Sequence, residues 1–398
     1  MQRRNPQEAA TASRADGDGS DYFNMMKRMT ASSNASERLY AMKSTIWFLP
    51  MEPYDGRYTA SWIKWWSAAL DEVAHTDGVD TMVIEGVQLS PTIRTGAKLD
   101  GIGTCYWKST QLAHLIVQIE SGAVRDGDLI FTADVWYPGL EMLDYIRKIA
   151  GRQYLIGGIL HGGSYHSGDY THQYGIDHWA KYSENAWLHT LDAIFVASKY
   201  HRDIVLDHYP ELADRLFADG LPFWPEEIWD GTAALPKENI IVFPHDIDRT
   251  KGYAAFTAFR DRVQNALPGW QWIASREVTH NRPEYYDLLR RSKIAVSFAT
   301  HETFGYSMLE AAAANCHILA PSCLSYVDIF PQETLWSTES DLERRLLEAA
   351  AGNLVSQRSV AMQFRYTAND ILRRMLQCSP SLLRNDLRQP EQRATRLI

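Results

Sequence analysis

The fold of this chain is decided by one stretch, His301-Glu302-Thr303-Phe304-Gly305-Tyr306-Ser307-Met308-Leu309-Glu310. A strand-like apolar run, 293–299, precedes it, and an alanine-rich segment, 311–315, follows it. The pattern predicts a buried strand, a short acidic loop around Gly305 and an apolar helix. Open α/β sheets bind ligands at the carboxyl ends of their strands, and a helix amino end favours phosphate. We therefore expect Glu302 and the backbone N–H groups near Gly305 to lie at a ligand-binding edge.

Strand-like runs and helical patterns alternate in two separate parts of the chain. The strand-like runs are 44–49, 81–84, 128–132, 154–160 and 193–197 in the first part, and 240–243, 270–274, 294–298 and 317–320 in the second. Prolines and glycine cluster between 219 and 239, which indicates a linker. Alternation of this kind predicts parallel, doubly wound sheets. The predicted fold class is α/β, with two Rossmann-like domains whose parallel sheets face each other across a cleft.

These patterns also predict the domain boundaries. Residues 1–37 form a flexible N-terminal tail, because the first twenty are polar and lack an apolar core. Residues 38–225 form the N-terminal, acceptor domain, and residues 226–355 form the C-terminal, donor domain. Residues 356–398 form C-terminal helices that pack back across the linker.

Composition and charge restrict the function. The chain has 398 residues and a net charge of −9, so no general attraction to nucleic acid is expected. Residues 351–398 carry eight arginines and three acidic residues; this segment either contacts phosphates or forms a solvated helix face. The four cysteines have no C-x-x-C spacing, which predicts reduced thiols in a cytoplasmic protein. No run of 18 apolar residues is present, so no membrane span is expected.

Polar residues follow several predicted strands directly. They are Gly56 and Arg57 after the first strand, Asp134 and Trp136 after the third, His161 and Tyr165 after the fourth, and His245, Arg249 and Lys251 after the first strand of the second part. Taken singly, an arginine beside a glycine is usually a surface turn, and a lone histidine is usually structural. The ordered set at successive strand ends indicates one cleft.

These residues resemble those of a known family. Glu302-x7-Glu310, preceded by His301 and followed by an alanine-rich helix, resembles the E-x7-E signature of retaining GT-B glycosyltransferases of the family-4 type. Lys251-Gly252 resembles the phosphate-binding Lys-Gly of that family, and the loop with Gly56 and Arg57 falls where the family has its glycine-rich loop. Phe243-Pro244-His245 and the stretch from His301 to Glu310 look most like tRNA-queuosine mannosyltransferases and viral DNA-base glycosyltransferases.

The resemblance implies transfer of a sugar from a UDP- or GDP-linked donor, with retention at the anomeric carbon and without a metal or other cofactor. It implies catalytic roles for Glu302, His161 and Lys251. The implied donor-binding residues are Gly56, Arg57, His245, Arg249, Lys251, Thr303, Phe304, Gly305 and Glu310, of which Glu310 holds the ribose hydroxyls. The triplet 246–248 resembles a metal-binding D-x-D, but it lies on the Lys251 loop, so we expect no metal there.

The acceptor is the part of the function with the most alternatives. We expect Asp134, Trp136 and Tyr165 to contact it, because their strands end on the acceptor side. The resemblance favours a modified base, such as a hydroxymethylated base, in DNA or tRNA. The alternatives are a glycan or lipid-linked acceptor, a nucleotide-sugar epimerase of the same architecture, and a non-catalytic binding subunit. The expected location is the cytoplasm, or the host cytoplasm for a viral protein.

Overall fold

The computed structural model describes residues 43–54, 58–89, 100–229 and 236–386. From Ser44 onward these residues belong to one structural unit. Two parallel sheets organise it, one from each part of the chain in which strands and helices alternate. This confirms the predicted α/β class with two parallel sheets.

The first sheet is built from the N-terminal part of the chain. Its strands are β1 Thr45–Leu49, β2 Asp80–Val83, β3 Leu129–Thr132, β4 Leu155–Leu160, β5 Ala193–Val196 and β6 Leu216–Phe217. Its helices are α1 Tyr58–Asp77, α2 Gly101–Glu120, α3 Glu141–Ala150, α4 Tyr170–Gln173, α5 Asp177–Thr190 and α6 Lys199–His208. The strand order is β2-β1-β3-β4-β5-β6, and every pairing is parallel. The order therefore reverses between β1 and β3.

The second sheet follows the same plan. Its strands are β7 Glu238–Phe243, β8 Gln271–Ala274, β9 Ser292–Val296, β10 His317–Pro321 and β11 Leu335–Trp336. Its helices are α7 Tyr253–Val263, α8 Ser275–Val278, α9 Arg282–Arg291, α10 Tyr306–Ala313, α11 Tyr326–Ile329 and α12 Glu339–Ala350. The strand order is β11-β10-β9-β7-β8, again parallel throughout, so it reverses between β7 and β9.

Two helices, α13 Arg358–Met362 and α14 Thr367–Asp386, follow the second sheet. Short 3-10 turns lie at Pro210–Leu212, Pro225–Glu227, Arg249–Lys251, Gln264–Ala266 and Gln332–Thr334. α14 returns to the first sheet and lies against α1 and β5. Arg373 pairs there with Asp77 at 3.2 Å, and Met375 packs so closely on Gly157 that an added methyl group would lie 2.4 Å from its sulfur.

The central strands of the first sheet are buried on both faces. Alternate residues of β1 belong to different core clusters, with Ile46 and Phe48 on one face and Trp47 and Leu49 on the other. A strand covered on both sides needs a continuous apolar run, which explains why its sequence shows no polar alternation. On the first face, the α1 ring of Trp66 lies 5.2 Å from Phe48, measured between centroids.

Several sequence-based boundaries differ from the structure. The run 317–320 was expected to be the last strand, but β11 follows it; two residues are too few for a periodic signal. The single helix expected over 360–376 is interrupted between α13 and α14. α6 begins directly after the Ser198 hydroxyl, which accepts a hydrogen bond from the His201 N–H and caps the helix. A serine at this position is a typical start of a helix.

The four arginines of the basic C-terminal segment whose side chains the structure describes all make contacts within the protein. Arg365 pairs with Glu226 at 2.7 Å, and Arg374 with Asp219 at 2.5 Å. The guanidinium of Arg358 lies 4.3 Å from the ring centroid of Trp229. Together with Arg373, these contacts favour the helix-face interpretation over a phosphate surface. Residues 388, 393 and 396, and the side chain of residue 384, lie outside the described part.

Candidate functional site

The reversals of strand order define where a ligand is expected in each sheet. A crevice opens between neighbouring strands whose connections leave in opposite directions, just beyond their carboxyl ends. In the second sheet this point lies between the loops after β7 and β9, which contain Lys251 and Glu302. In the first sheet it lies between the loops after β1 and β3, which contain Glu52 and Asp134.

The strand ends of the first sheet contact the loop after β9. The hydroxyl of Ser198 donates to the Thr303 carbonyl at 2.9 Å, and the Tyr200 N–H donates to Asp328 at 2.7 Å. The rings of His166 and His301 lie 5.5 Å apart between centroids. The two halves of the predicted site therefore face each other.

Lys251 and Glu302 form an ion pair. The Lys251 Nζ lies 2.8 Å from Oε2 of Glu302 and 3.3 Å from the His301 carbonyl oxygen. Gly252 makes this approach possible: it has φ of 76°, and an added methyl group would lie 2.1 Å from the Phe298 carbonyl oxygen. The Thr300 N–H also donates to the Thr250 carbonyl at 2.9 Å and joins the two loops.

The charge of Glu302 depends on its partner. Burial acts to raise the pKa of Glu302, but Lys251 outweighs it and holds the pKa below its usual value. Glu302 is therefore ionised at neutral pH. The pair places one positive and one negative charge, both partly shielded from solvent, at the switch point of the second sheet.

Gly305 sets the start of α10. Its φ of 90° is in the left-handed region, and an added methyl group would lie 2.9 Å from the Tyr326 ring. Gly305 is the N-cap residue, and no side-chain hydrogen bond caps this helix start. Such an end carries a partial positive charge that favours phosphate. The alanines of α10 allow it to pack closely against α13.

Glu310 lies on α10 and is almost fully buried. Its Oε1 lies 2.8 Å from Nη2 of Arg282, and its Oε2 accepts from the Tyr285 hydroxyl at 2.9 Å. Burial raises the pKa of Glu310, and the positive charge of Arg282 opposes this. The sequence analysis missed Arg282, Tyr285 and Tyr286. Their i, i+3, i+4 spacing places them on one face of α9, but this spacing does not indicate that they contact Glu310.

His245 and Arg249 were the candidate cations beside Lys251. His245 is buried; its Nε2 lies 2.8 Å from the Ser297 hydroxyl, and its Nδ1 has no hydrogen-bond partner among the described residues. Burial, aided by the charge of Lys251, lowers the pKa of His245 to about 3. His245 is therefore neutral and cannot add positive charge. Arg249 is exposed on the same turn as Lys251.

His161 lies at the end of β4. Its Nε2 is 2.8 Å from the Ala133 carbonyl oxygen, which can only accept, so this nitrogen carries the proton. Its ring lies 5.0 Å from Trp62 between centroids. Burial lowers the pKa of His161, although the charge of Asp134 partly opposes it. A neutral ring at this position can orient polar groups without adding charge.

The three expected acceptor contacts have different environments. Asp134 pairs with Lys108 at 2.5 Å. Trp136 is partly buried and donates its indole N–H to Glu184 at 3.1 Å. Tyr165 is only 6% exposed, with its hydroxyl 2.6 Å from Nε2 of His201. Its burial leaves little of the Tyr165 ring open to a ligand, and its contact with the acceptor stays a prediction.

Of the remaining expected donor contacts, the structure describes Phe304 and Thr303. Phe304 is buried and packs edge-on against Phe364, so its side chain supports the loop. The carbonyl of Thr303 accepts from Ser198, so this residue joins the two halves. Gly56 and Arg57 lie outside the described residues.

The described ranges contain no group of three or more His, Cys, Asp or Glu that could hold a metal ion. Of the D-x-D-like triplet, Asp246 pairs with Arg276 at 2.5 Å, and Asp248 caps the turn by accepting from the Thr250 N–H at 2.7 Å. No helix within those ranges is long and apolar enough to cross a membrane.

Solved structures with the same arrangement of sheets identify the fold. The chain is similar to the catalytic domain of starch synthase IV from Arabidopsis thaliana, with a TM-score of 0.54 and 10% identity over 86% of this chain and 100% of that one. It is also similar to a trehalose 6-phosphate synthase from Burkholderia multivorans, with a TM-score of 0.55 and 11% identity over 86% and 100%. The chain has the GT-B fold. Sucrose-phosphate synthase from Thermosynechococcus elongatus matches with a TM-score of 0.50 and 14% identity over 87% and 99%.

The chain is also similar in sequence, over a short segment, to a curated protein. That protein is the tRNA-queuosine alpha-mannosyltransferase of Drosophila melanogaster, which is 43% identical over 65 residues. The match covers 16% of this chain and 17% of that protein. No family model matches the chain. The similarity to solved structures thus establishes the fold, and the residues of the site indicate the reaction.

Proposed function

We propose that this chain is a retaining, metal-independent glycosyltransferase that moves a sugar from a UDP- or GDP-linked donor to a hydroxyl acceptor. The observation that carries the proposal is the Lys251–Glu302 pair, which lies at the switch point of the second sheet and beside the uncapped start of α10. A cation and a helix amino end together suit a diphosphate. A carboxylate within 2.8 Å of that cation suits a polyhydroxyl sugar attached to the diphosphate.

Lys251 and the N–H groups of α10 stabilise the leaving group. When the bond between the anomeric carbon and the phosphate oxygen breaks, negative charge grows on the diphosphate. A preorganised cation aimed at this charge lowers the barrier more than most other catalytic effects do. The acceptor oxygen forms its bond on the face that the phosphate leaves, and the acceptor proton passes to the departing phosphate oxygen.

Glu302 and Glu310 serve different parts of the donor. Glu302 is ionised and holds sugar hydroxyls near the developing positive charge of the sugar ring. Glu310 is fixed by Arg282 and Tyr285, so its carboxylate is preorganised to accept hydrogen bonds from the ribose. The neutral ring of His161 borders the sugar from the first sheet.

For the acceptor, we propose a modified base in DNA or tRNA. The support is the short similarity to the Drosophila tRNA-queuosine alpha-mannosyltransferase. Trp136 and Tyr170, whose ring centroids lie 5.5 Å apart and which are both partly buried, offer an aromatic surface beside Asp134 for an unstacked base.

A glycan acceptor is the second candidate. The observations that favour it are the net charge of −9 and the ion pairs that Arg365, Arg373 and Arg374 form within the protein. Nucleic-acid binding normally depends on cations that are available to phosphates.

One experiment tests the reaction and separates these acceptors. The protein is incubated with a panel of UDP- and GDP-sugars, alone or with tRNA, duplex DNA containing hydroxymethylated bases, or an oligosaccharide. Release of nucleoside diphosphate and transfer of labelled sugar are both measured. The proposal expects release from one nucleotide type and label on a nucleic acid. Label on the oligosaccharide alone would show that the acceptor is a glycan and not a nucleic acid. If no donor releases nucleoside diphosphate, the protein does not have the proposed function.

A further inference from the structure

A buried acidic group occupies the switch point of the first sheet, opposite the donor half of the site. Glu52 follows β1 and Asp134 follows β3, the two strands between which the strand order reverses. This is where a ligand of the first sheet is expected. Asp100, Thr104 and Lys108, at the start of α2, complete the group. We call the five residues Glu52, Asp100, Thr104, Lys108 and Asp134 the acidic group.

Hydrogen bonds and charges connect the members of the acidic group. Oε2 of Glu52 accepts from the Tyr54 hydroxyl and, at 3.4 Å, from the Thr104 hydroxyl. Asp100 caps α2 by accepting from the Gly103 N–H at 3.1 Å, and its charge acts on both Glu52 and Tyr54. Lys108 pairs with Asp134 at 2.5 Å.

Glu52 has one carboxylate oxygen without a partner. The residue is 4% exposed, and its Oε1 has no hydrogen-bond partner among the described residues. A buried carboxylate oxygen without a hydrogen bond loses its contacts with water and gains nothing in return, so it is costly. Such an atom in a native structure calls for an explanation, and a ligand that donates a hydrogen bond is one.

The charge balance decides which kind of donor fits. Within the described residues, the acidic group contains three carboxylates, Glu52, Asp100 and Asp134, and the cation Lys108. Its members therefore carry a net charge of −2 when all are ionised. Burial raises the pKa of Glu52 and the charge of Asp100 raises it further, and these effects outweigh the hydrogen bonds from Tyr54 and Thr104 and the charge of Lys108. The start of α2 is already capped by Asp100, so it does not call for an anion. A cationic hydrogen-bond donor gives Oε1 of Glu52 a hydrogen-bond partner and offsets the net negative charge of the acidic group.

The acidic group also borders the proposed sugar site. The charges of Asp134 and Lys108 both act on His161, whose Nε2 is bonded to the Ala133 carbonyl beside Asp134. A ligand bound at Glu52 and Asp134 therefore lies on the acceptor side of the sugar.

From this arrangement we infer that the acidic group recognises a protonated amine on the acceptor, which donates a hydrogen bond to Oε1 of Glu52. This inference rests on the proposed function, because it assigns one chemical feature of the acceptor. The amine belongs to the same molecule as the hydroxyl that receives the sugar. Its binding requires no change in the donor half of the site.

Two small probes that differ only in the amine test the inference. 3-Amino-1,2-propanediol and glycerol have the same skeleton, and only the first is cationic at pH 7. Their affinities for the full-length protein are measured by ligand-observed NMR titration in an amine-free buffer. We expect the amine to bind at least tenfold more tightly than glycerol. Equal affinity for the two probes would overturn the inference without any variant.

Variants locate the effect. Glu52→Gln keeps the shape and removes the charge, so the preference for the amine should disappear. Asp100→Asn should reduce the preference but keep the start of α2, because asparagine also caps helices. Glu120→Gln, at the exposed end of the same helix, should change nothing. An unchanged preference in folded Glu52→Gln would also contradict the inference. Because the proposed contacts to the leaving diphosphate lie in the second sheet, persistence of donor cleavage by water in that case would leave the proposed function intact.

Discussion

Replacement of Lys251 by alanine removes the cation that we place at the leaving phosphate. Removal of one preorganised group that stabilises transition-state charge typically lowers kcat about 10²–10³-fold, or roughly 2.7–4 kcal/mol. We expect a loss in this range for Lys251→Ala. The variant also leaves Glu302 without its partner at 2.8 Å, so the pKa of Glu302 should rise. Both side chains are partly exposed, so the cost to folding stability should be about 1–3 kcal/mol.

The assay is release of nucleoside diphosphate at saturating donor, followed by chromatography, together with a thermal melt of each variant. Lys293→Ala is the matched control, since Lys293 lies at the opposite end of β9 and bonds to Asn239. It should keep the wild-type kcat. The role of Lys251 at the leaving phosphate is refuted if folded Lys251→Ala retains a kcat within about threefold of the wild type.

Three further predictions concern the groups around this pair. Glu310→Gln should raise the KM for the donor about 10–100-fold with a smaller effect on kcat, because hydrogen bonds to charged groups contribute roughly 1.5–3 kcal/mol; steady-state kinetics with varied donor measure this. Glu184→Gln should raise the KM for the acceptor and leave donor cleavage by water unchanged, because Glu184 accepts from both the Ser164 N–H at 2.7 Å and the Trp136 indole. His245→Gln should reduce the loss of stability on acidification, which thermal melts between pH 4 and 7 would detect.

The sign of the pH effect follows from the pKa of His245. Its folded-state pKa of about 3 lies below the ordinary 6.5, so the unfolded chain binds the proton first. Stability from the neutral ring is complete above pH 6.5 and falls by up to about 1.4 kcal/mol per pH unit below it. Removal of this histidine should flatten that slope. His280→Gln, at an exposed position, is the control and should leave the slope unchanged.

Controls for the carboxylate variants use exposed glutamates on other helices. Glu348→Gln on α12 and Glu120→Gln on α2 should match the wild type in both KM values. If Glu310→Gln changes only the acceptor KM, the ribose assignment is wrong. If Glu184→Gln slows donor cleavage by water as much as transfer, its effect is on folding and not on the acceptor side.

Local features of the site could be predicted from the sequence. The apolar run before Glu302, Gly305 and the alanines after Glu310 predicted strand, loop and helix, and the structure confirms that order. These features are local: burial on both faces requires continuous apolar residues, and a left-handed turn requires glycine. The helix begins two residues earlier than expected, at Tyr306.

Features that depend on distant contacts could not be predicted. Arg282 and Tyr285 meet Glu310 from another helix, 28 and 25 residues away in the chain. Tyr165 is indistinguishable by residue type from an exposed aromatic, yet it packs in the core against His201. The orders of the strands, which bring Glu52 to Asp134 and Lys251 to Glu302, arise from sheet topology that no local pattern encodes.

The donor half of the site should bind a nucleoside diphosphate between Lys251 and Glu310, and calorimetric titration of UDP and GDP tests this most directly. We predict that one of the two nucleotides binds the wild-type protein with a stoichiometry of one. We also predict at least tenfold weaker binding to Lys251→Ala, and unchanged binding to Lys293→Ala and Glu52→Gln. Absence of binding for both nucleotides, or equal affinity for wild type and Lys251→Ala, would contradict the proposed site.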